Sequence, residues 1–417
     1  MNKFLNYLYQ NIRIMSIKGI LNSFIYHVPI KKLTKTDILY LCHDNSRPIL
    51  LNNKFYSPLI DSIIIKLNSL SNITLALPFS KYSGSKTFGN TVNLNLYVII
   101  ALIKRVFYFK SIFLSDINKD PLIIFYSRLL LKLDVKIIIG IQPSTEICIA
   151  ANKNNIDVFD VQHGIITSSE EGSYYSLNKR KLFHDLGKPN FILCKNINSF
   201  NKILNSKIDI KPIMIGNLNR FFYQNIYKNN SNRILFENNN RTILFTLQPY
   251  LACDEEFKEN NKFEGVFFPK VVLNFILNSE FNFILKLHPA QIQKATTFRK
   301  HIKAFDKLFS TRNNVEYIIC NQKPLDYSMS ISDLHITYNS ATAFEAMDYN
   351  LTTILLDTDK IRLQDYFGDL LESNYMLIDP YLEQNIEKLF QKLNYEDDNC
   401  MKYFDEFSSF IFKKFKR

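Results

Sequence analysis

Three stretches of the chain place a reactive side chain at the end of a strand-like run. The first is KLHPA, Lys286 to Ala290. Alternation along a strand puts Lys286 and His288 on one face, with His288 at the exit, and Pro289 stops the strand. A cationic or hydrogen-bonding His there suits a phosphate oxygen or a departing phosphate; a His that merely caps the strand end is the alternative. The second is TYNSATAFEAMDYN, Thr337 to Asn350. A strand gives way to a helix, with Asn339 or Ser340 as the N-cap. Free N–H groups at the helix start, with the Ser340 and Thr342 hydroxyls, suit a mono- or diphosphate. Glu345 lies roughly one and a half turns further on, placed for a ribose hydroxyl, or else solvated. The third is VQHGIITSSEEGSYY, Val161 to Tyr175. His163 ends a strand, Gly164 permits close backbone approach, and Glu170 and Glu171 follow in a polar loop. His163 or the Glu170/Glu171 pair is placed to act as a general base.

Weaker signals sit at other strand ends: Gly216 after PIMI, and Thr246 and Gln248 in TILFTLQ. They fall where residues of an interdomain cleft would fall, although hinge or packing roles also account for them. No Walker loop, G-x-S-x-G elbow, H-E-x-x-H or three-glycine dinucleotide fingerprint is present. The seven His and six Cys do not cluster, so no metal site and no resident cofactor is expected. Asp357-Thr358-Asp359 falls in a late loop and is weak evidence for one.

These residues need a frame. The 417 residues are 47% hydrophobic and 22% charged, the balance of a folded protein of two or three domains. Short β-branched runs alternate with helical segments, the mark of parallel sheets covered by helices. In the first half, strands are expected at 37–42, 73–78, 111–114, 135–141, 158–162, 191–194 and 212–216. In the second half they are expected at 242–247, 282–288, 315–320, 333–338, 352–357 and 375–379. Helices are expected at 57–70, 92–109, 122–133, 144–154 and 199–204, then at 263–278, 340–350, 382–393 and 401–415. The Asn-rich stretch 219–241 reads as a linker. The expected organisation is therefore a basic amphipathic segment 1–36, a Rossmann-like domain 37–218, the linker 219–241, a second Rossmann-like domain 242–400 and a terminal helix 401–417. Two doubly wound domains facing a cleft place ligands beyond the carboxyl ends of their strands, where the polar signals lie.

The net charge of +12 has a biased distribution. Residues 1–36 carry Lys3, Arg13, Lys18, Lys31, Lys32 and Lys35, no acidic residue, and interleaved apolar side chains. Such a segment can lie on an anionic leaflet or pack as a solvated helix. No convincing signal peptide or membrane span appears, and the dispersed basic residues with no Trp argue against a nucleic-acid partner. A cytoplasmic protein, peripheral on the inner face of the cell membrane, is expected.

The combination of two Rossmann-like halves with VQHG, KLHP and YNSATAFEAM…TTILLD resembles bacterial glycosyltransferases of GT-B fold. It is most similar to enzymes of capsule and surface-polysaccharide synthesis and to CDP-glycerol glycerophosphotransferases. The resemblance implies that the second domain binds a nucleotide-activated sugar, CMP-, CDP- or UDP-linked, and the first a lipid-linked or oligosaccharide acceptor. It implies His288, Ser340 and Thr342 at the donor phosphate, Glu345 near the ribose and His163 near the acceptor hydroxyl; Lys286, Pro289 and Asn339, their neighbours in the sequence, are counted with the donor-binding candidates. A narrower similarity to sialyl- and polysialyltransferases rests on Glu170-Glu171-Gly172, His288-Pro289 and Ser340…Thr342, and implies a CMP-sugar with Glu170 or Glu171 as base. The expected activity is metal-independent glycosyl transfer. The alternatives are transfer of a polyol phosphate, epimerisation of a sugar nucleotide, and a non-catalytic role in polysaccharide assembly.

Overall fold

The computed structural model describes residues 21, 23–43, 46–76, 86–107, 117–167, 185–206, 208–227, 235–248, 262–263, 266–267, 269–292, 295–371, 373, 375–382, 389–390 and 400–415. Two parallel sheets dominate. The first comprises β1 (Ile38–Cys42), β2 (Asn72–Ala76), β3 (Thr91–Val92), β4 (Ile137–Gly140), β5 (Asp157–Val161), β6 (Phe191–Cys194) and β7 (Lys211–Met214). Their spatial order is β3-β2-β1-β4-β5-β6-β7, parallel throughout. The second comprises β8 (Thr242–Thr246), β9 (Asn282–Lys286), β10 (Val315–Glu316), β11 (Leu334–Thr337), β12 (Thr352–Leu355) and β13 (Met376–Ile378). Their order is β10-β9-β8-β11-β12-β13, again parallel. Both sheets therefore reverse strand order beside their first strand, between β1 and β4 and between β8 and β11. That reversal opens a crevice for ligands in doubly wound folds.

Apart from β3, which takes the start of the helix expected over 92–109 and leaves that helix to begin at Asn95, the described strands form where the β-branched runs predict, because both faces of each sheet are covered and near-continuous apolar runs satisfy both. All five residues of β1 and of β8 are buried. The helices start where short polar side chains can take up their first N–H groups. Ser57 accepts from the Ile60 N–H, Ser144 from Ile147 and Asn196 from Ser199, while Asp120 accepts from Leu122.

Several expectations are corrected. The helix expected over 263–278 is a short antiparallel hairpin, Lys262–Phe263 with Val266–Phe267, followed by a helix over Lys270–Asn278. Pro269, in extended backbone with its φ fixed by the ring, caps that helix. The strand expected over 315–320 stops at Glu316, whose carboxylate accepts the N–H groups of Ile318 and Ile319 and turns the chain. The helix expected over 340–350 spans only Thr342–Met347, and Asn350 takes positive φ (57°) beyond it. The stretch read as a linker starts as structure: Leu218–Phe222 is helical, Phe221 and Phe222 are buried, and the Ser62 hydroxyl donates to the Leu218 carbonyl at 3.1 Å. The strand expected at 111–114, most of the helix expected at 382–393 and residues 1–20 lie outside the described residues.

The final helix, Cys400–Phe415, lies against the first sheet rather than the second. Phe404, Phe407 and Ile411 are at most 1% exposed and join Ile38, Tyr40, Ile139 and Phe159 in one core. Lys414 pairs with Asp157, and Lys66 with Asp405.

Candidate active site

A cleft of about 500 Å³ lies between the two sheets, a size typical of small-molecule sites. From the first lobe it is lined by Arg47, Pro48, Ile49, Phe55, Pro58, Leu59, His163 and Lys195. The second lobe contributes Thr246, Lys286, His288, Pro289, Asn321, Asp326, Ser340, Thr342 and Glu345. Strand ends make this convergence. Thr246 closes β8 and Lys286 closes β9, whereas Ser340 and Thr342 follow β11 on the other side of the reversal point. A smaller recess of about 220 Å³ adjoins the cleft and shares His163, Lys195, Ala341 and Glu345 with it.

Lys286 is nearly enclosed. Its Nζ donates to the carbonyls of Cys320 and Lys323, each at 2.5 Å, and burial pulls its pKa down to about 8. His288 is half-buried just past β9, and burial lowers its imidazole below the usual histidine value. Near neutral pH the ring is therefore largely neutral, ready to gain a proton beside an incoming anion. The turn that carries it is fixed: the His288 N–H donates to Gln291 Oε1 at 2.8 Å, and the Leu287 N–H to Asn321 Oδ1 at 2.7 Å.

Ser340 and Thr342 form a tight turn rather than a long helix start. The Ser340 Oγ accepts the Thr342 N–H at 3.3 Å, and Thr342 Oγ1 lies 3.1 Å from Thr246 Oγ1. Glu345 bridges the lobes. Its Oε1 accepts from Lys195 Nζ at 3.3 Å and from Asn219 Nδ2 at 3.0 Å. A parallel tie joins Asn217 Nδ2 to Asp348 Oδ2 at 2.5 Å. Asp326 sits in the cleft wall, where burial and then the charge of Glu345 push its carboxyl up to about 7, with the Tyr349 hydroxyl donating to it at 3.0 Å.

The sequence-derived candidates thus divide. His163, Thr246, Lys286, His288, Pro289, Ser340, Thr342 and Glu345 all line the cleft, with His163 exposed at the end of β5. Asn339 does not. Its amide donates to Asp357 Oδ2 at 2.5 Å, and the same carboxylate holds Arg362 through two bonds of 2.8 and 2.6 Å. A buried carboxylate draws the nearest donors to itself, which turns Asn339 from the cleft. Gly216 serves a turn with φ of 76°, and Gln248 is half-buried just past β8; neither lines the cleft. Glu170 and Glu171 lie outside the described residues. Among the described residues no group of three or more His, Cys, Asp or Glu side chains is arranged to hold a metal ion, and no helix is long and apolar enough to cross a membrane.

Sequence reasoning missed Lys195, Asn219, Asn321, Asp326, Arg47 and the antiparallel hairpin that follows it, Ile49–Leu51 with Lys54–Tyr56. The hairpin had a signal: Asn52 and Asn53, with φ of 50° and 61°, form the two-residue turn that Asn-rich pairs favour between strands. The others are polar residues in loops or helices, and only the fold brings them to the cleft.

No family model and no curated protein matches the chain. Solved structures do. A UDP-GlcNAc 2-epimerase from Neisseria meningitidis bound to UDP-GlcNAc superposes with a TM-score of 0.50 and 14% identity, covering 91% of this chain and 99% of that one. The Methanocaldococcus jannaschii UDP-GlcNAc 2-epimerase in complex with UDP-GlcNAc and UDP gives 0.52 and 16%, covering 90% and 99%. A variant of the wall teichoic acid polymerase TagF soaked with CDPG gives 0.52 and 12%, covering 100% and 97%. These are GT-B proteins, and at such identities the likeness concerns architecture: the chain has the GT-B fold.

Proposed function

We propose that this chain is a glycosyltransferase that moves a sugar from a nucleotide-activated donor to a growing bacterial surface polysaccharide. The observation that carries the reading is the meeting of His163 from one lobe with Lys286, His288, Ser340, Thr342 and Glu345 from the other around a single cleft. In the proposed reaction the bond between the anomeric carbon and the nucleotide phosphate breaks, and the phosphate leaves with the electron pair. The acceptor hydroxyl oxygen bonds to that carbon, and its proton passes to His163 or to the Glu170/Glu171 pair. Lys286, His288 and the hydroxyls of Ser340 and Thr342 offset the charge that grows on the leaving phosphate. They supply the electrostatic stabilisation that a divalent cation supplies elsewhere. The Lys195–Glu345 and Asn217–Asp348 ties hold the lobes together, which limits water and donor hydrolysis. The basic residues of 1–36 favour work at an anionic inner leaflet on a lipid-linked acceptor.

Transfer of a polyol phosphate is the second reading, favoured by superposition on TagF over the full chain. Melting curves with CMP, CDP, UDP and GDP test the donor site, since a ligand of the folded form raises the melting point. Failure of all four to do so refutes the donor site. Product mass then separates sugar from polyol-phosphate transfer, and conversion of donor without acceptor would mark an epimerase. His288→Ala is expected to cut turnover severely; an unchanged polysaccharide output in a cell carrying it would favour a non-catalytic assembly role.

A further inference from the structure

Four side chains form a line from the interior of the second sheet to the cleft. Thr353 Oγ1 lies 3.0 Å from His335 Nδ1, His335 Nε2 lies 2.9 Å from Thr246 Oγ1, and Thr246 Oγ1 lies 3.1 Å from Thr342 Oγ1. The sheet itself sets the line. Thr353 and His335 are register partners on β12 and β11, and Thr246 ends the next strand, β8. His335 and Thr353 are fully buried, whereas Thr246 and Thr342 reach the cleft.

The line has a direction. Burial drives the His335 pKa down to about 3, so the ring is neutral, with one nitrogen donating and the other accepting. With the hydrogen on Nδ1, the ring would donate to Thr353, and the hydrogen of the Thr353 hydroxyl would lack an acceptor. That hydroxyl meets only His335 among the described residues, and a buried donor left unpaired is costly. With the hydrogen on Nε2, Thr353 donates to Nδ1 and the ring donates to Thr246. Thr246 and Thr342 then hold two hydroxyl hydrogens, of which one satisfies their mutual bond. The other is left for a group in the cleft. In the opposite tautomer both hydrogens are drawn inward, and the pair offers the cleft only lone pairs.

We propose that His335 is a positioning residue which, by carrying its hydrogen on Nε2, presets the Thr246–Thr342 pair as a hydrogen-bond donor to an anionic phosphate oxygen in the cleft. The inference rests on the reading of that cleft as a nucleotide site. The test uses the full chain labelled with 15N-histidine, the His335 signal being the one lost in His335→Gln. Imidazole nitrogen shifts and two-bond couplings should report the Nε2–H tautomer in the free protein, constant from about pH 5 to 8. Calorimetry with CDP and UDP should show Thr342→Val weakening binding about tenfold, with Thr342→Ser restoring it. An Nδ1–H tautomer overturns the proposal, as does nucleotide binding left unchanged by Thr342→Val. If neither nucleotide binds the wild-type chain, the nucleotide reading fails, while the tautomer, read in the wild-type chain without ligand, still decides the direction of the line.

Discussion

Replacing Lys286 with Met should stabilise the protein near neutral pH while removing its capacity to bind a nucleotide. The side chain is 8% exposed, and its Nζ is enclosed by the Cys320 and Lys323 carbonyls. Its ordinary pKa of 10.5 falls to about 8 on folding because burial penalises the charge more than Cys320 and Asp326 support it. At roughly 1.4 kcal/mol per pH unit, the protonated form is about 3 kcal/mol less favoured in the folded chain than in the unfolded one. Below pH 8 both states hold the proton, and the penalty is present in full. Between pH 8 and 10.5 the unfolded chain keeps the proton that the folded chain has released, so wild-type stability rises with pH across that window. The Met variant lacks the penalty but leaves two carbonyls without their donor, a loss of about 2 kcal/mol. The variant should therefore be about 1 kcal/mol more stable at pH 7 and about 1 kcal/mol less stable at pH 10. Urea melts of both proteins at intervals from pH 7 to 10 measure this, because the other titrating groups are common to both. Parallel curves would refute the reasoning. Nucleotide affinity of the wild type should meanwhile decline above pH 8, as the cation that meets the phosphate is lost.

Other perturbations follow from the same contacts. Glu345→Gln removes the charge that meets Lys195 across the lobes; with side chains 15% and 14% exposed, it should cost about 1 kcal/mol of stability. Small-angle scattering should then show a more open molecule. Asp61→Ala should cost about 3 kcal/mol by thermal or urea melting, because it leaves Arg47 buried at 0% side-chain exposure without its counter-charge. Asp61→Asn, which retains an acceptor for the Ser57 N–H at 2.7 Å, should cost less. Gly140→Ala should destabilise by about 2 kcal/mol, since the new methyl would stand 2.7 Å from Leu41 Cβ on the neighbouring strand. An unchanged melting midpoint would contradict the packing of β1 on β4.

The strands were legible because buried parallel strands leave a strong mark: runs such as Ile137–Ile139 and Thr352–Leu355 have few other uses. The cleft residues were legible for a linked reason, since a polar residue that ends such a run must lie at a sheet edge. Helices were read less evenly. Ala295–Phe309 was missed because polar residues dominate it, although Phe298, Ile302, Phe305 and Phe309 keep helical spacing. His335 was passed over as one more residue of the β11 strand. Alternation shows which face a side chain takes, but not that Thr353 and Thr246 wait on either side of it. Asn339 was assigned to the cleft because its sequence neighbours belong there, and the pull of Asp357 acts through space rather than along the chain.

The return of Cys400–Phe415 to the first sheet bears on how the molecule is made. During synthesis the segments of β1 to β7 emerge early, yet Phe404, Phe407 and Ile411 are translated only after the whole second sheet. Until then the nascent first lobe carries an open greasy trough along Ile38, Tyr40 and Phe159, available to a chaperone or to a neighbouring nascent chain. The second lobe can close its own core on the ribosome, while the core of the first waits for Cys400–Phe415.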